Sequence, residues 1–427
     1  MYRRLPHGPS GMAREEVERN QRSRLHGAMI EAVSRNGYER TTVAHVIALA
    51  GVSRRAFYEL FANKEECLLG TYDMMVSQAR RHLIDAWLSE QGWANRIHAS
   101  CRSLLGGLAR APKGPRVVLV DSLGIGPRSR ERMQLAGIVF ERLVATAFSL
   151  APEEVCYPQL TPRVVVTGVR QIVFNRLLER RHHELADLSD EVLDWIESYR
   201  MPPGARLPTL ALAPPPHLPP VPAAFLTRDG KRARVLGSVV HLTLDEGYAA
   251  LSDPQIAQFA GVSTEAFHRQ FRNKEECFLA VLDEFAAEAL DCARAAMEGA
   301  DSWEGAVSSS MEAFVAHLIA HQALLRIAFV HLFEAGPATI SRVTHPVGDF
   351  TAMLTEQAPP PLRGPQIARE AVTGAVWGVI STFVSNGRLS RLPSLVDHLA
   401  FAVLAPYVGA RAASEALADR QRRPAAA

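Results

Sequence analysis

Residues Gly37 to Leu69 read GYERTTVAHVIALAGVSRRAFYELFANKEECLL, and Gly247 to Leu279 read GYAALSDPQIAQFAGVSTEAFHRQFRNKEECFL, a gapless repeat at an offset of 210 residues. Identity concentrates in Ala50-Gly51-Val52-Ser53 and Asn63-Lys64-Glu65-Glu66-Cys67, matched by Ala260-Gly261-Val262-Ser263 and Asn273-Lys274-Glu275-Glu276-Cys277. Two short helices joined by a tight turn need a turn glycine and helix caps at just these places. Thr42 is placed to cap a helix running to Ala50 that carries Val46, Ile47 and Leu49 toward a core. Gly51 permits the turn, and Ser53 caps the following helix, Arg54 to Phe61. With successive residues about 100° apart, Arg54, Arg55 and Tyr58 share one arc while Phe57, Leu60 and Phe61 face inward. A helix of that size fits the major groove, where arginine donates bidentately to guanine and a phenol can hold a phosphate.

Asn63 caps a third helix with Glu66 three residues on, a capping-box arrangement. Lys64 opposes that helix's dipole at a cost of about 0.3–1 kcal/mol, so its recurrence as Lys274 points to a phosphate contact rather than a stability role. In the second copy Ser252 and Gln255 form a capping box, Pro254 suits a first helical turn, and Ser263, Phe267 and Phe271 preserve the cap and the buried face. Its outward arc is Thr264, Glu265 and His268. Glutamate accepts from cytosine but repels phosphate, so this copy either reads a different half-site or has lost DNA affinity, with Arg269, Arg272 and Lys274 keeping the first option open.

The duplication extends beyond the 33-residue window. The same offset relates Trp93 to Trp303 and Gly126-Pro127 to Gly336-Pro337, and Val166-Thr167-Gly168 matches Val372-Thr373-Gly374 at an offset of 206. Apolar residues recur at helical spacing and strand signals are scarce, so the fold class is all-α, with about nine helices per half. The expected order is a flexible arm over 1–17, a first helix-turn-helix domain over 18–66, and a helical regulatory domain over 67–200. A proline-rich linker follows over 201–225, then a second helix-turn-helix domain over 226–276, a second regulatory domain over 277–412 and a tail over 413–427.

A net charge of +2 over 427 residues means that nucleic acid must be met by local patches rather than by a global field. Five cysteines without a CxxC pair suit a reducing cytoplasm, and Cys67 and Cys277 read as small core residues, with redox sensing as the alternative. The N-terminal residues lack the apolar run of a secretory signal, and the uncharged stretch Ala371 to Gly387 falls short of the ~20 residues of a membrane span, so it reads as a buried helix. The expected location is cytoplasmic. Arg3-Arg4 and Arg420 to Arg423 read as solvated basic arms.

The Gly-Val-Ser, Phe-Tyr, Phe and Asn-Lys-Glu-Glu pattern over residues 51–66 resembles the N-terminal signature of the tetracycline-repressor (TetR) family of bacterial transcriptional regulators. The resemblance implies a homodimeric DNA-binding protein, ordinarily a repressor, whose last two helices form a four-helix bundle and whose regulatory domain holds a small ligand. Carried over, the bundle helices are Val164 to Arg180 with Asp187 to Tyr199, and Ile367 to Asn386 with Leu389 to Tyr407. Here two such units share one chain, which suggests an intrachain pseudo-dimer with unlike reading heads and a non-palindromic operator, further homodimerisation remaining open. The partners are then a double-stranded DNA operator and an apolar small-molecule effector, with Trp93, Trp303, Phe314, Phe329 and Trp377 as pocket candidates that are otherwise plain core. Alternatively only the first repeat binds DNA and the second dimerises or senses ligand.

No cofactor, metal or enzymatic activity is expected. There is no Walker loop, nucleophile elbow or dinucleotide fingerprint, and the one compact histidine cluster singled out, His182-His183-Glu184, lacks HxxxH or HExxH spacing.

Overall fold

A computed structural model describes residues 13–122, 125–205, 207, 223–334, 348–362 and 367–422. Arg3-Arg4, Gly336-Pro337, Arg423 and most of the proline-rich segment lie outside the described residues. The first repeat runs through α1 (Arg14–Asn36), α2 (Val43–Ala50), α3 (Arg54–Leu60), α4 (Lys64–Leu88), α5 (Trp93–Arg110), α6 (Lys113–Arg116), α7 (Pro127–Ser149), α8 (Thr161–Leu178) and α9 (Ser189–Glu197). The second runs through α10 (Ala224–Thr227), α11 (Lys231–Glu246), α12 (Asp253–Phe259), α13 (Thr264–His268), α14 (Lys274–Ala295), α15 (Trp303–Ala320) and α16 (Gln322–Phe329). It continues through α17 (residues 348–355), α18 (Ala368–Ser385) and α19 (Val396–Arg422). Among the described residues every regular element is helical; one isolated bridge pairs Cys156 with Met201. The all-α, tandem reading is borne out.

Two compact units emerge, one of Met1–Val139 with Val173–Ser189 and one of Phe140–Ile172 with Asp190–Ala427. In the first, Leu25, Met29, Val46, Phe57, Phe61, Cys67 and Leu68 share one core with Val117, so the helix-turn-helix is anchored to the turn after α6. Leu49 does not join them: it is 45% exposed, because Val46 and Ala50 already occupy the inward face of the two-turn α2.

The second unit holds most of α8, all but the first residue of α9 and the whole described second repeat, and glycines decide its packing. A Cβ built on Gly168 would overlap the Trp195 ring and lie 2.9 Å from the Ala371 carbonyl oxygen. One on Gly374 would overlap Gln171 Cβ and lie 2.8 Å from the Thr167 carbonyl oxygen, and one on Gly378 would overlap Thr167 itself. Backbone therefore meets backbone where α8 crosses α18. Beside the crossing Tyr199, 1% exposed, donates its hydroxyl to the Ala402 carbonyl at 3.0 Å. Arg163 grips Glu141 through two hydrogen bonds of 2.9 and 2.8 Å and covers the Phe383 ring.

The stretch read as a buried helix is α18, with Ala371, Val372, Ala375 and Val379 fully enclosed. The segment Leu389–Arg420 is long and apolar enough to cross a membrane by length and composition, but 72% of its apolar window is buried inside the fold. Its helix α19 also breaks at Gly409, where φ is 82°. Those features describe a core helix.

Gly374→Ala is expected to lower stability by about 1–3 kcal/mol, the usual cost of overpacking. Gly107→Ala in α5, where a Cβ meets nothing within 4 Å, is expected to raise stability by about 0.5–1 kcal/mol. Urea denaturation of the full chain checks both.

Candidate nucleic-acid interface

The first helix-turn-helix is built by its caps. The Thr42 hydroxyl accepts from His45 N–H at 3.2 Å while the Thr42 N–H donates to the His45 ring, a reciprocal box with histidine in the usual Glu position. Gly51 ends α2 in the left-handed region (φ 59°), and Ser53 Oγ accepts from Ala56 N–H at 3.1 Å to open α3. Arg24 closes the turn from behind, donating to the Ala50 carbonyl and, at 2.8 Å, to the Gly51 carbonyl. On α3 Phe57 is fully buried, and Arg54, Arg55 and Tyr58 lie outward as their spacing predicted. The Arg54 guanidinium stands 5.8 Å from the Tyr58 ring centre, and Arg55 Nε bonds Glu59 at 2.9 Å. An exposed pair of that kind is worth under about 1 kcal/mol, so the guanidinium can leave it for a phosphate.

The second copy keeps the scaffold and changes the face. Ser263 caps α13 through Ala266 N–H at 3.1 Å, and Phe267 and Phe271 are buried. Thr264, Glu265 and His268 are exposed. Arg269 bonds Glu265 at 3.0 Å, and Arg272 bonds Glu276 at 3.2 Å. Positions 265 and 269 correspond to 55 and 59, so the two heads carry the same ion pair with its polarity reversed. The cation sits in the first turn of α3 and the carboxylate in the first turn of α13. The Ser252–Gln255 box does not form: Ser252 makes no capping bond, because Gln255 donates to Glu246 at 2.7 Å and Asp253 accepts the Lys274 N–H at 2.7 Å.

The repeated lysine also has a different explanation from the one its sequence position suggested. Lys64 Nζ donates to the Tyr38 carbonyl at 3.0 Å and lies 3.9 Å from the Tyr38 ring centre. Lys274 does the same with Tyr248, at 3.2 Å and 4.8 Å, and reaches the Leu251 carbonyl at 2.7 Å. Each ammonium thus ties the loop before the helix-turn-helix to the start of the following helix, adding to carbonyls that already accept from Thr41 N–H and Leu251 N–H, and this contact recurs with the scaffold. A second repeated contact, Arg22 over Phe61 and Arg232 over Phe271, both at 5.0 Å, was missed. Its signal is the 210-residue offset itself, followed upstream of Gly37.

Behind the first head His26 donates Nδ1–H to Thr71 Oγ1 at 2.9 Å, since that hydroxyl spends its own proton on the Cys67 carbonyl. Burial, with the Arg22 charge nearby, lowers the imidazole pKa to about 4. Cys67 and Cys277 are fully buried, and burial pushes the Cys67 thiol up to about 12 and Cys277 likewise upward, as packing rather than redox roles require.

Of the pocket candidates, Trp303 donates to the Leu354 carbonyl at 2.7 Å and meets Tyr407 edge-on, Phe314 stacks on Phe350, and Phe329 stacks on Trp377 at 4.2 Å. Trp93 opens α5 in the first unit. Glu184 of the His182-His183 cluster is taken by Arg176 and Arg181.

A pair of capped helices joined by a left-handed glycine turn, with an exposed Arg-Arg-Tyr arc, defines a helix-turn-helix DNA-binding protein. Residues 28–71 and 240–281 each match the family described as bacterial regulatory proteins, tetR family. The chain therefore carries the N-terminal DNA-binding module of that family in two copies. No curated protein matches the chain. Among solved structures it is similar to the fatty acid degradation regulator FadR from Bacillus halodurans, at 14% identity, 41% of this chain, 96% of that one and TM-score 0.36. It is similar also to NalD, the secondary repressor of the MexAB-OprM multidrug efflux pump in Pseudomonas aeruginosa, at 18% identity, 42% and 96% coverage and TM-score 0.34. RolR in complex with resorcinol matches at 16% identity, 44% and 92% coverage and TM-score 0.32.

Between pH 6.5 and about 4 the unfolded chain protonates His26 and the folded chain does not, so stability falls as pH drops through that window. Denaturation midpoints across a pH series should fall more gently for His26→Gln, by up to about 1.4 kcal/mol per pH unit for one proton. Lys64→Met is expected to lower stability by about 1 kcal/mol.

Proposed function

We propose that the chain is a repressor that grips a two-part, non-palindromic operator with two unlike heads, the first supplying most of the affinity, and that a small apolar ligand releases it. The observation that carries this reading is the polarity reversal between Arg55–Glu59 and Glu265–Arg269. The N-terminal residues of a recognition helix are those that reach base edges, so a cation there suits guanine and backbone phosphate, whereas a carboxylate suits cytosine. A two-fold axis requires like half-sites, and unlike helices remove that requirement.

The heads belong to one chain as an intrachain pseudo-dimer in this reading. Supporting it are the glycine-lined crossing of α8 with α18 and the bond from Tyr199 to Ala402, both joining first-repeat to second-repeat residues. The effector site is assigned to the regulatory helices lined by Trp303, Phe314, Phe329 and Trp377, with Trp93 as the first repeat's counterpart of Trp303. A ligand that fits one arrangement of those helices shifts the heads by its differential affinity. With DNA as its partner, the protein in this reading works in the cytoplasm.

A second reading, in which the first repeat alone contacts DNA, draws on the engagement of Arg269, Arg272 and Lys274 by partners in their own domain. Selection from a random duplex library separates the two: enrichment of an asymmetric two-part site bound by one chain supports unlike working heads, and a perfect inverted repeat bound by two chains sinks them. On the selected site Arg54→Ala and Arg55→Ala should each cost about 1–3 kcal/mol where they read a base, or flatten the salt dependence by about one unit where they hold a phosphate. Arg269→Ala should flatten it only if the second head is engaged, and Lys64→Met should leave it unchanged.

A further inference from the structure

The sequence HLIAH, His317 to His321, holds the HxxxH spacing absent from His182-His183, which places two imidazoles on one helical face. They stand at the C-terminal end of α15, their rings 4.4 Å apart. Opposite them on α14 is Glu288, and one ligand atom from each of Glu288, His317 and His321 lies within 4.8 Å of the others. Cys292, one turn beyond Glu288, brings Sγ to 3.6 Å from His317 Nδ1. His317 Nε2 is buried and has no hydrogen-bond partner among the described residues, a cost that neutral histidines in cores seldom carry. Phe285 stacks on His317 at 5.5 Å and closes one side.

We infer that Glu288, His317 and His321 form a binding site for a divalent first-row transition-metal ion, with Zn²⁺ the reference ion, bordered by the Cys292 thiol. The donor set is two imidazoles and a carboxylate, which suits zinc and its neighbours and leaves coordination positions open. Ligand atoms about 2.0–2.2 Å from a tetrahedral ion are roughly 3.3–3.6 Å apart, so closing from the observed separation asks for movements of about 1 Å. The carboxylate is already oriented: Glu288 accepts from Ala224 N–H at 3.2 Å and Phe225 N–H at 2.7 Å, the outer hydrogen bonding that ligating carboxylates usually receive. These bonds also attach the site to the chain that enters the second repeat. α14 begins at the Asn273 cap directly after the second helix-turn-helix, so an ion would pin the middle of that helix to the end of α15. The inference rests on these side chains alone and stands whether or not the second head reads DNA.

The test is titration of the purified full chain, stripped with chelator, with Zn²⁺ by calorimetry and with Co²⁺ by visible absorption. One ion per chain, with the intense d–d bands of a low-symmetry cobalt site, is expected. His321→Asn and Glu288→Gln should each weaken binding at least about 10-fold and His317→Ala with His321→Ala at least about 100-fold, with far-ultraviolet circular dichroism unchanged in the single variants. His182→Asn with His183→Asn should bind like the unaltered chain. Failure of the unaltered chain to bind at 100 μM metal would overturn the assignment. So would unchanged affinity in His321→Asn and Glu288→Gln, or loss of the ion in the His182/His183 variant.

Discussion

The crossing of α8 and α18 is the constraint on which the second unit depends. Ordinary helices pack with axes about 8–10 Å apart because side chains keep them there. Here glycine at 168, 374 and 378 removes the side chains at the crossing, and the carbonyls of Thr167 and Ala371 occupy the space a Cβ would need. Gly168 and Gly374 correspond at the 206-residue offset, so each repeat offers the other its glycine from the same position. The packing is short-range and steric, so it admits few alternatives: one added methyl displaces a carbonyl rather than a flexible chain end.

The heads show what duplication preserves. The inward contacts recur as pairs: Arg22 with Phe61 and Arg232 with Phe271, Lys64 with Tyr38 and Lys274 with Tyr248, Asn63 capping Glu66 and Asn273 capping Glu276. Each is a local solution to burying an aromatic or ending a helix, and its loss would cost stability whatever the helix touches. The outward contacts do not recur. Arg55–Glu59 becomes Glu265–Arg269 with almost no change in the helix beneath, because an exposed ion pair contributes little to folding in either polarity. Stability has held the scaffold while the reading face was free to change.

This division also decides how much could be read from the chain. Caps, turn glycines and buried aromatics obey local rules, so Thr42, Ser53, Asn63, Phe57 and Phe267 were legible. Leu49 misled because the inward face of α2 runs through Val43, Val46, Ile47 and Ala50 and leaves it outside, and Ser252 misled because Gln255 and Asp253 found tertiary partners 9 and 21 residues away. Lys64 was read from the helix dipole alone, whereas the carbonyl that holds it belongs to a residue 26 positions upstream. The glycine crossing was visible only as a matched triplet, with nothing in either segment to say that the two meet. The histidine pair at 317 and 321 was legible in spacing, but its carboxylate comes from another helix, and only the fold brings Glu288 to it.

An unlike second head need not be a strong one. For two modules on one chain, the second contact is intramolecular, with an effective concentration that reaches the millimolar range for a short flexible connection. A head whose isolated affinity is no better than millimolar is then half engaged once the first has bound, and it multiplies overall affinity by about two while adding its own sequence requirement. In the proposed reading the carboxylate at Glu265 fits that regime, since repulsion from phosphate lowers what the head contributes alone. The discrimination such a head adds is bounded by the same factor of about two, because a wrong base leaves it disengaged while the first head stays bound, so any sharper selectivity would need a tighter second contact.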